Sequence, residues 1–389
     1  MIEEVFKKFN IDGELIAVDK MGSGNINKTY VATVKGKNNK EKKYLVQQIN
    51  TKVFTEPFKL MKNIEGVTAY RKKQMIKTGD DEHKVLEVVK TKDGKSLCYI
   101  TNESDTREYY RIYEYIDHAI SYDSSVDPKI VYNTGKAFGN FQKLLANYPM
   151  NKLEETIKGF HDTEERYNKL RYDMKIDSEG RTLEVAKEIV FIMMREDIYS
   201  LITSELKNGD IPYRVTHNDT KVNNVMMNEK TKDYLAVIDL DTVMPGTMLF
   251  DYGDGIRSTA SSASEDETDL SKIYLVKELF EAYTDGYMSE MAPYLSYDEV
   301  SLMGESIRII TLELAIRFLN DYINGDTYFK INYDKHNLDR ARNQIKLVED
   351  IESKMDDINK YILDSYDKYR HKEMNNKVAN EKVYKKVHK

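Results

Sequence analysis

His217-Asn218-Asp219-Thr220-Lys221-Val222-Asn223-Asn224, followed by Val237-Ile238-Asp239, decides the reading of this 389-residue chain. A carboxylate and a carboxamide lie five positions apart on a polar loop, and a second carboxylate ends an apolar run. Moving a phosphoryl group calls for such a set: one carboxylate to orient the attacking hydroxyl and take its proton, and two hard oxygen donors for Mg²⁺. Asp219 is the candidate base, and Asn224 and Asp239 are the candidate metal ligands. Val215, Val225-Met226-Met227 and Ala236-Val237-Ile238 flank these groups and predict short strands, Val225–Met227 and Leu235–Ile238, that hold the loop. A lone Asp in such a place reads as a turn or a strand-end cap. The paired spacing with matched apolar flanks is what points to chemistry.

Upstream of this stretch the pattern is strand-rich. Glu14–Lys20, Thr29–Lys35 and Lys43–Ile49 alternate or run apolar, with Gly and Asn between them. Glu56–Lys77 reads as a helix, with Phe58, Met61, Ile64 and Val67 stepping by three. Lys84–Val89, Ser96–Thr101 and Glu108–Ile116 are further strands. Together they predict a twisted antiparallel sheet with one long helix, the layout of a small nucleotide-holding lobe. From about Asp127 the chain reads as helices: Pro128–Ala146, Arg181–Leu206, Leu270–Ala292, Tyr297–Ile323 and Leu338–Tyr369. The expectation is an α+β, bilobal chain. A nucleotide-binding lobe spans 1–116, a helical catalytic and substrate lobe spans 117–367, and a basic tail spans 368–389.

The bulk numbers narrow the class. A hydrophobic fraction of 40% supports real cores, and a net charge of -7 argues against a nucleic-acid or anionic-membrane binder. Cys98, the single cysteine, excludes an internal disulfide and a cysteine metal cluster, and it reads as a reduced strand residue. No apolar run approaches the roughly 20 residues of a membrane span, and no targeting segment is visible. A cytoplasmic location is expected.

The motifs resemble a known group. His217-x-Asp219 with Asn224, then Ile238-Asp239, Gly246 and Asp251, is similar to the aminoglycoside phosphotransferase and choline kinase superfamily, relatives of the protein kinases. Longer segments resemble the N-acetylhexosamine 1-kinases and their close kin. These are Arg214 to Lys221, Val237 to Gly246, Asp251 to Arg257, Gln48-Ile49-Asn50, Phe160-His161-Asp162-Thr163, Thr311-Leu312-Glu313-Leu314 and His336 to Arg342. They run from about residue 22 to 355. The resemblance implies a protein-kinase-like fold and ATP- and Mg²⁺-dependent phosphorylation of the anomeric hydroxyl of N-acetylglucosamine or N-acetylgalactosamine.

Further residues take provisional roles. Gly22-Ser23-Gly24 between two strands suits a phosphate cover, since glycines let backbone N–H groups approach an anion. Asn25 and Asn27 lie where they reach towards the acceptor. The backbone of Glu114-Tyr115-Ile116 would meet the adenine edge. Gln47 stands by register where such a lobe usually has Lys or Arg. A neutral amide supplies no Coulomb attraction there, and the helix carboxylate, nearest at Glu65, would lack its cation. Arg317 leaves the apolar face set by Ile310 and Leu314, with Glu313 and Asp321 four residues either side, so an i,i+4 ion-pair ladder competes with a substrate role. The resemblance implies sugar contacts for Arg317 and Tyr328. Asp241 points to the same side as Asp239, towards a second metal position or a sugar hydroxyl. His217 reads as a brace for the loop, and His161, His336 and Arg340 read as structural. Two alternatives stay open: another small hydroxyl acceptor (an aminoglycoside, a choline-like amino alcohol or another hexose), or a silent nucleotide-binding module. The acidic residues Glu265, Asp266, Glu267 and Asp269 suit a polycation pocket, but read more simply as a helix N-terminal region.

Overall fold

A computed structural model describes residues 2–21, 26–79 and 85–387, with side chains up to residue 371. Gly22, Ser23, Gly24 and Asn25 lie outside the described residues, as do most side chains of the basic tail.

The N-terminal side is built from α1 (Ile2–Lys8), β1 (Glu14–Lys20), β2 (Lys28–Lys35), β3 (Glu41–Ile49), α2 (Pro57–Thr78), β4 (Cys98–Thr101) and β5 (Arg107–Glu114). The strands form one antiparallel sheet in the order β1-β2-β3-β5-β4. The two-residue alternation of strands sorts its faces. Ala32, Val34, Tyr44, Val46, Tyr110 and Ile112 pack on Val5, Phe6 and Phe9. On the opposite face Ile49 and Tyr113 join Leu60, Met61, Ile64 and Val67 of α2, and that core continues into Phe138, Phe141, Val215, Val225 and Val237 of the C-terminal side. One hydrophobic layer therefore holds the sheet, α2 and the strands flanking the Asp219 loop together.

The C-terminal side follows as β6 (Ala119–Ile120), α3 (Pro128–Leu145), α4 (Thr163–Ile176), α5 (Ala186–Met193), α6 (Leu201–Asn208), β7 (Arg214–Thr216), β8 (Val225–Asn228), β9 (Tyr234–Val237), β10 (Met244–Gly246), α7 (Met248–Thr259), α8 (Lys277–Met291), α9 (Tyr297–Ser301), α10 (Met303–Ile323), α11 (His336–Ser353) and α12 (Met355–Val387). Pro128 starts α3 with its missing N–H at no loss, and Asp127 caps it by accepting from Lys129 N at 2.9 Å. α3 and α8 approach through glycine: a Cβ on Gly286 would sit 2.0 Å from Tyr132 O. Among the described residues no helix is long and apolar enough to cross a membrane.

Several expected elements differ. Arg181–Leu206 is not one helix. α5 buries Ile189 and Ile192 in one core, α6 buries Ile202 and Leu206 in another, and the chain turns between them. Tyr199 Oη satisfies the Ile192 carbonyl at 2.8 Å, and Arg195 leaves the axis to bond Glu352. Leu270–Ala292 is helical as α8 only from Lys277, after a single 3₁₀ turn at Leu270–Lys272. Tyr297–Ile323 breaks at Leu302, and Leu338–Tyr369 breaks at Lys354, whose Nζ turns aside to Leu275 O and Asp350. The described part of Lys84–Val89 contributes only a bridge, Val88 to Tyr113, and not a strand. α4 was not expected, because its sequence is mostly charged and only Tyr167, Leu170 and the flanking Thr163 and Asp173 are buried. The tail from 368 begins inside α12.

Candidate active site

The loop carrying Asp219 leaves β7 and enters β8, and Asp239 lies just after β9, with the 3₁₀ turn Leu240–Thr242 between it and β10. β7 pairs with β10 and β8 with β9, so both ends of the loop and both sides of Asp239 are tied by strand ladders. The β7–β10 pair is tight: a Cβ on Gly246 would lie 2.5 Å from Thr216 Oγ1, which itself donates to Met244 O at 2.9 Å.

The loop backbone is held by buried carboxylates of α7. Asp251 accepts from His217 N at 2.9 Å and Asn218 N at 2.7 Å, and Asp254 accepts from Thr220 N at 3.0 Å. Burial alone would raise the Asp254 carboxyl, but the Arg257 guanidinium overcomes this and holds it at about 2. His217 is fully buried, edge-on to Phe138 and Phe141, and its Nε2–H donates to Ile238 O at 2.9 Å. The ring therefore braces the loop against the Asp239 strand. Asn218 and Asp239 both have left-handed backbones, φ 62 and 56. For non-glycine residues this marks locally strained geometry that the surrounding structure enforces.

Asp219 and Asn224 meet directly. Asn224 Nδ2 donates to Asp219 O at 2.8 Å and Asp219 Oδ2 at 2.9 Å, while Lys221 Nζ lies 3.1 Å from Asp219 Oδ1. These bonds use the Asn224 amide nitrogen and leave its Oδ1 without a hydrogen-bond partner among the described residues. Asp239 has no hydrogen-bond or ion-pair partner among the described residues. Desolvation of the carboxyl in the cleft, then repulsion from Asp241 and Asp219, pushes it above the usual carboxylate range, while the residue as a whole is exposed. A hard cation would relieve that repulsion, so the donors present fit Mg²⁺. Among the described residues no three His, Cys, Asp or Glu converge into a metal cage. Two protein donors leave the other positions to phosphates and water.

On the sheet side, Gln47 lies opposite Arg111 of β5. Arg111 Nε donates to Gln47 Oε1 at 3.0 Å, and its Nη1 lies 2.5 Å from Asp241 Oδ1; only 1% of its side chain is exposed. Asn27 Nδ2 takes the other Asp241 oxygen at 2.6 Å. Asp241 is thus enclosed by the N-terminal side and does not face an acceptor. Glu65 pairs with Lys90 and not with a cation at Gln47. In the strand exit, Glu114 N donates to Glu87 O and Tyr115 N to Lys43 O, while Ile116 N–H has no partner among the described residues. Arg111 escaped notice in the sequence. The available signal was a charge alternating with Tyr109 and Tyr113 on the inward face of a strand.

On the other side of the loop, the ion-pair ladder around Arg317 does not form. Glu313 accepts from Thr163 Oγ1 at 2.8 Å and contacts His161 Nδ1 at 3.0 Å. Asp321 accepts the backbone N–H groups of Thr327, Tyr328 and Phe329 and Nδ2 of Asn337. The Arg317 guanidinium lies 5.6 Å from each of the Phe160 and Phe329 rings and has no carboxylate partner among the described residues. Exposed Tyr328 stands edge-on to Phe329. Phe160 contacts His161, and His161 contacts Phe250 of α7, the helix whose Asp251 holds the Asp219 loop. The acidic segment is internally paired: Glu265 to Arg257, Asp266 to His336 and Arg340, and Glu267 and Asp269 to Lys272. Cys98 is half-buried on β4, and burial pushes its thiol up to about 11.

This geometry has relatives. Similar solved structures include a microcompartment-associated aminopropanol kinase (13% identity, 92% of this chain and 98% of that one, TM-score 0.61). A spectinomycin phosphotransferase in complex with ADP and spectinomycin matches at 12% identity over 91% and 97%, TM-score 0.55. A choline kinase from Cryptosporidium parvum Iowa II matches at 14% identity over 93% and 98%, TM-score 0.55. At these identities the likeness carries the protein-kinase-like α+β fold. A model of the phosphotransferase enzyme family (APH) matches residues 21–293. With that span of a 389-residue chain matched, the protein belongs to the phosphotransferase enzyme family.

Proposed function

We propose that the chain is an ATP- and Mg²⁺-dependent cytoplasmic kinase that phosphorylates the anomeric hydroxyl of an N-acetylhexosamine. The observation that carries the acceptor assignment is Arg317, a half-buried guanidinium between two aromatic faces with no carboxylate partner among the described residues. A cationic acceptor needs free carboxylates or open aromatic faces. Here Glu313 and Asp321, the carboxylates flanking Arg317, are engaged, and the rings of Phe160 and Phe329 already face a cation. A neutral sugar with an acetamido carbonyl offers an acceptor oxygen to Arg317, and Tyr328 offers a ring to its apolar face.

In the reaction, the Asp219 carboxylate orients the sugar hydroxyl and accepts its proton as the new O–P bond forms and the bond from the γ-phosphorus to the β,γ-bridging oxygen breaks. Asn224 Oδ1 and Asp239 would hold Mg²⁺, which supplies neutralisation of the phosphate charge when bound. Lys221, beside Asp219, adds positive charge on the same side of the cleft. Ile116 N–H serves the adenine edge, and Gly22-Ser23-Gly24 covers the phosphates.

Phosphorus NMR of the product formed from ATP and N-acetylglucosamine or N-acetylgalactosamine tests the reading. A sugar 1-phosphate is expected. A 6-phosphate overturns the anomeric assignment, and turnover with choline or an aminoglycoside but with neither hexosamine overturns the acceptor class.

A further inference from the structure

Arg111 occupies a strand position whose same-face neighbours, Tyr109 and Tyr113, pack in or against the apolar layer between the two sides of the molecule. A guanidinium in such a place is costly unless its donors are met. They are met by groups that all bear on the site. Nε donates to Gln47 Oε1 at 3.0 Å, Nη1 reaches Asp241 at 2.5 Å, and Met61 Sδ of α2 lies 3.8 Å from Nη1. Gln47 is in turn oriented by its Nε2 bond to Thr29 Oγ1 at 3.2 Å. The second Asp241 oxygen accepts from Asn27 Nδ2 at 2.6 Å, and Asn27 Oδ1 accepts from Asn50 N at 3.0 Å. Both oxygens of Asp241 are therefore gripped by the N-terminal side. Asp241 lies in the 3₁₀ turn that begins directly after Asp239, whose backbone is left-handed.

We propose that Arg111 is the positioning residue that couples the nucleotide-holding sheet to the metal-binding turn: through Asp241 it sets the turn that presents Asp239, and through Gln47 it ties that turn to β3. The assignment rests on Asp239 as a metal ligand and on nucleotide binding in the cleft. A planar fork suits the role, because one side chain must meet an amide and a carboxylate at once. It also sets a charge balance. Asp241 is neutralised by Arg111, which leaves Asp239 as the free carboxylate for the cation.

The test is calorimetric titration of the full chain with ADP, in the presence and absence of Mg²⁺, for Arg111→Met, Arg111→Lys, Asp241→Asn and the double variant Arg111→Met/Asp241→Asn. Arg111→Met is expected to weaken Mg²⁺-dependent ADP binding by about tenfold or more, the scale for breaking a buried charge pair. Metal-free ADP binding should change far less. Arg111→Lys should fall between Arg111→Met and the native chain. The double variant should lose no more than the worse single one, since the pair acts as a unit. Equal losses with and without Mg²⁺, or single-variant losses that multiply in the double variant, overturn the proposal. If Arg111→Met does not fold, Asp241→Asn and Arg111→Lys decide: native Mg²⁺ dependence in both overturns it. Native chain that binds no ADP with Mg²⁺ defeats the kinase reading itself. A different acceptor leaves this test standing, because it uses only ADP and the metal.

Discussion

At the scale of single residues, the active-site roles divide by what each side chain is free to do. Asp219 is fixed by Asn224 and Lys221 yet keeps about a third of its side chain exposed, at 30%. Asp219→Asn preserves its shape and removes the proton acceptor. Turnover should fall by about 10²–10⁴-fold while the dissociation constant for Mg·ADP moves little; near-native turnover would remove Asp219 from the role of base. Arg317 is the corresponding group proposed for the acceptor. Arg317→Met keeps the stem between Phe160 and Phe329 and deletes the guanidinium. The KM for the sugar should rise by roughly tenfold or more, the scale of a lost charge-assisted hydrogen bond of ~1.5–3 kcal/mol, with the KM for ATP unchanged. A shift confined to ATP contradicts the placement of Arg317 on the acceptor side.

At the scale of elements, α7 is the part that makes the loop a site. Its carboxylates Asp251 and Asp254 face inward and accept three loop N–H groups, so the loop's conformation follows from the helix and not from its own sequence. The linkage sign for Asp254 is definite. Its carboxyl is held at about 2 in the fold, below its ordinary value of 3.8, so its contribution is fully present above that ordinary value and fades as pH falls from there towards 2. Urea unfolding measured across that window should show a steep acid loss in the native chain and a shallower one in Asp254→Asn, which is less stable at neutral pH. Identical slopes would assign the acid loss to other carboxylates. The same scale explains the missed breaks. Each long apolar stretch was legible as helical, but the break points at Arg195, Leu302 and Lys354 depend on which core the next turn faces and on distant groups such as Glu352 and Leu275.

At the scale of the whole molecule, one apolar layer runs from α2 through Phe141 to Val215 and Val237 and carries two buried arginines. Arg111 has its carboxylate; Arg71 has none among the described residues. Arg71 faces the Phe141 ring at 4.9 Å, its Nε and Nη1 are unpartnered, and burial lowers its guanidinium to about 10. An apolar residue of similar length avoids that desolvation. Arg71→Met should melt at the native temperature or above it in scanning calorimetry, and a loss beyond ~3 kcal/mol would mean the charge is required for folding.

The sequence by itself determined the α+β fold class and, apart from Lys84–Val89, the strands of the N-terminal sheet, and it singled out the loop donors proposed for the chemistry. Period-two alternation, apolar flanks and the Asp219/Asn224/Asp239 spacing are local quantities, readable along the chain. It also pointed to a missing cation at Gln47. Only the tertiary structure decided what stands there. Arg111 is 64 residues from Gln47 and 130 from Asp241, and its charge acquires meaning only through the β3–β5 register and a shared apolar layer. The same holds for Arg317. Its sequence neighbours Glu313 and Asp321 promised an ion-pair ladder, but His161, Thr163 and the 327–329 backbone bind those carboxylates instead. Long-range competition for hydrogen bonds in a buried setting, where each polar group takes the partner the fold brings nearest, is what the linear pattern does not encode.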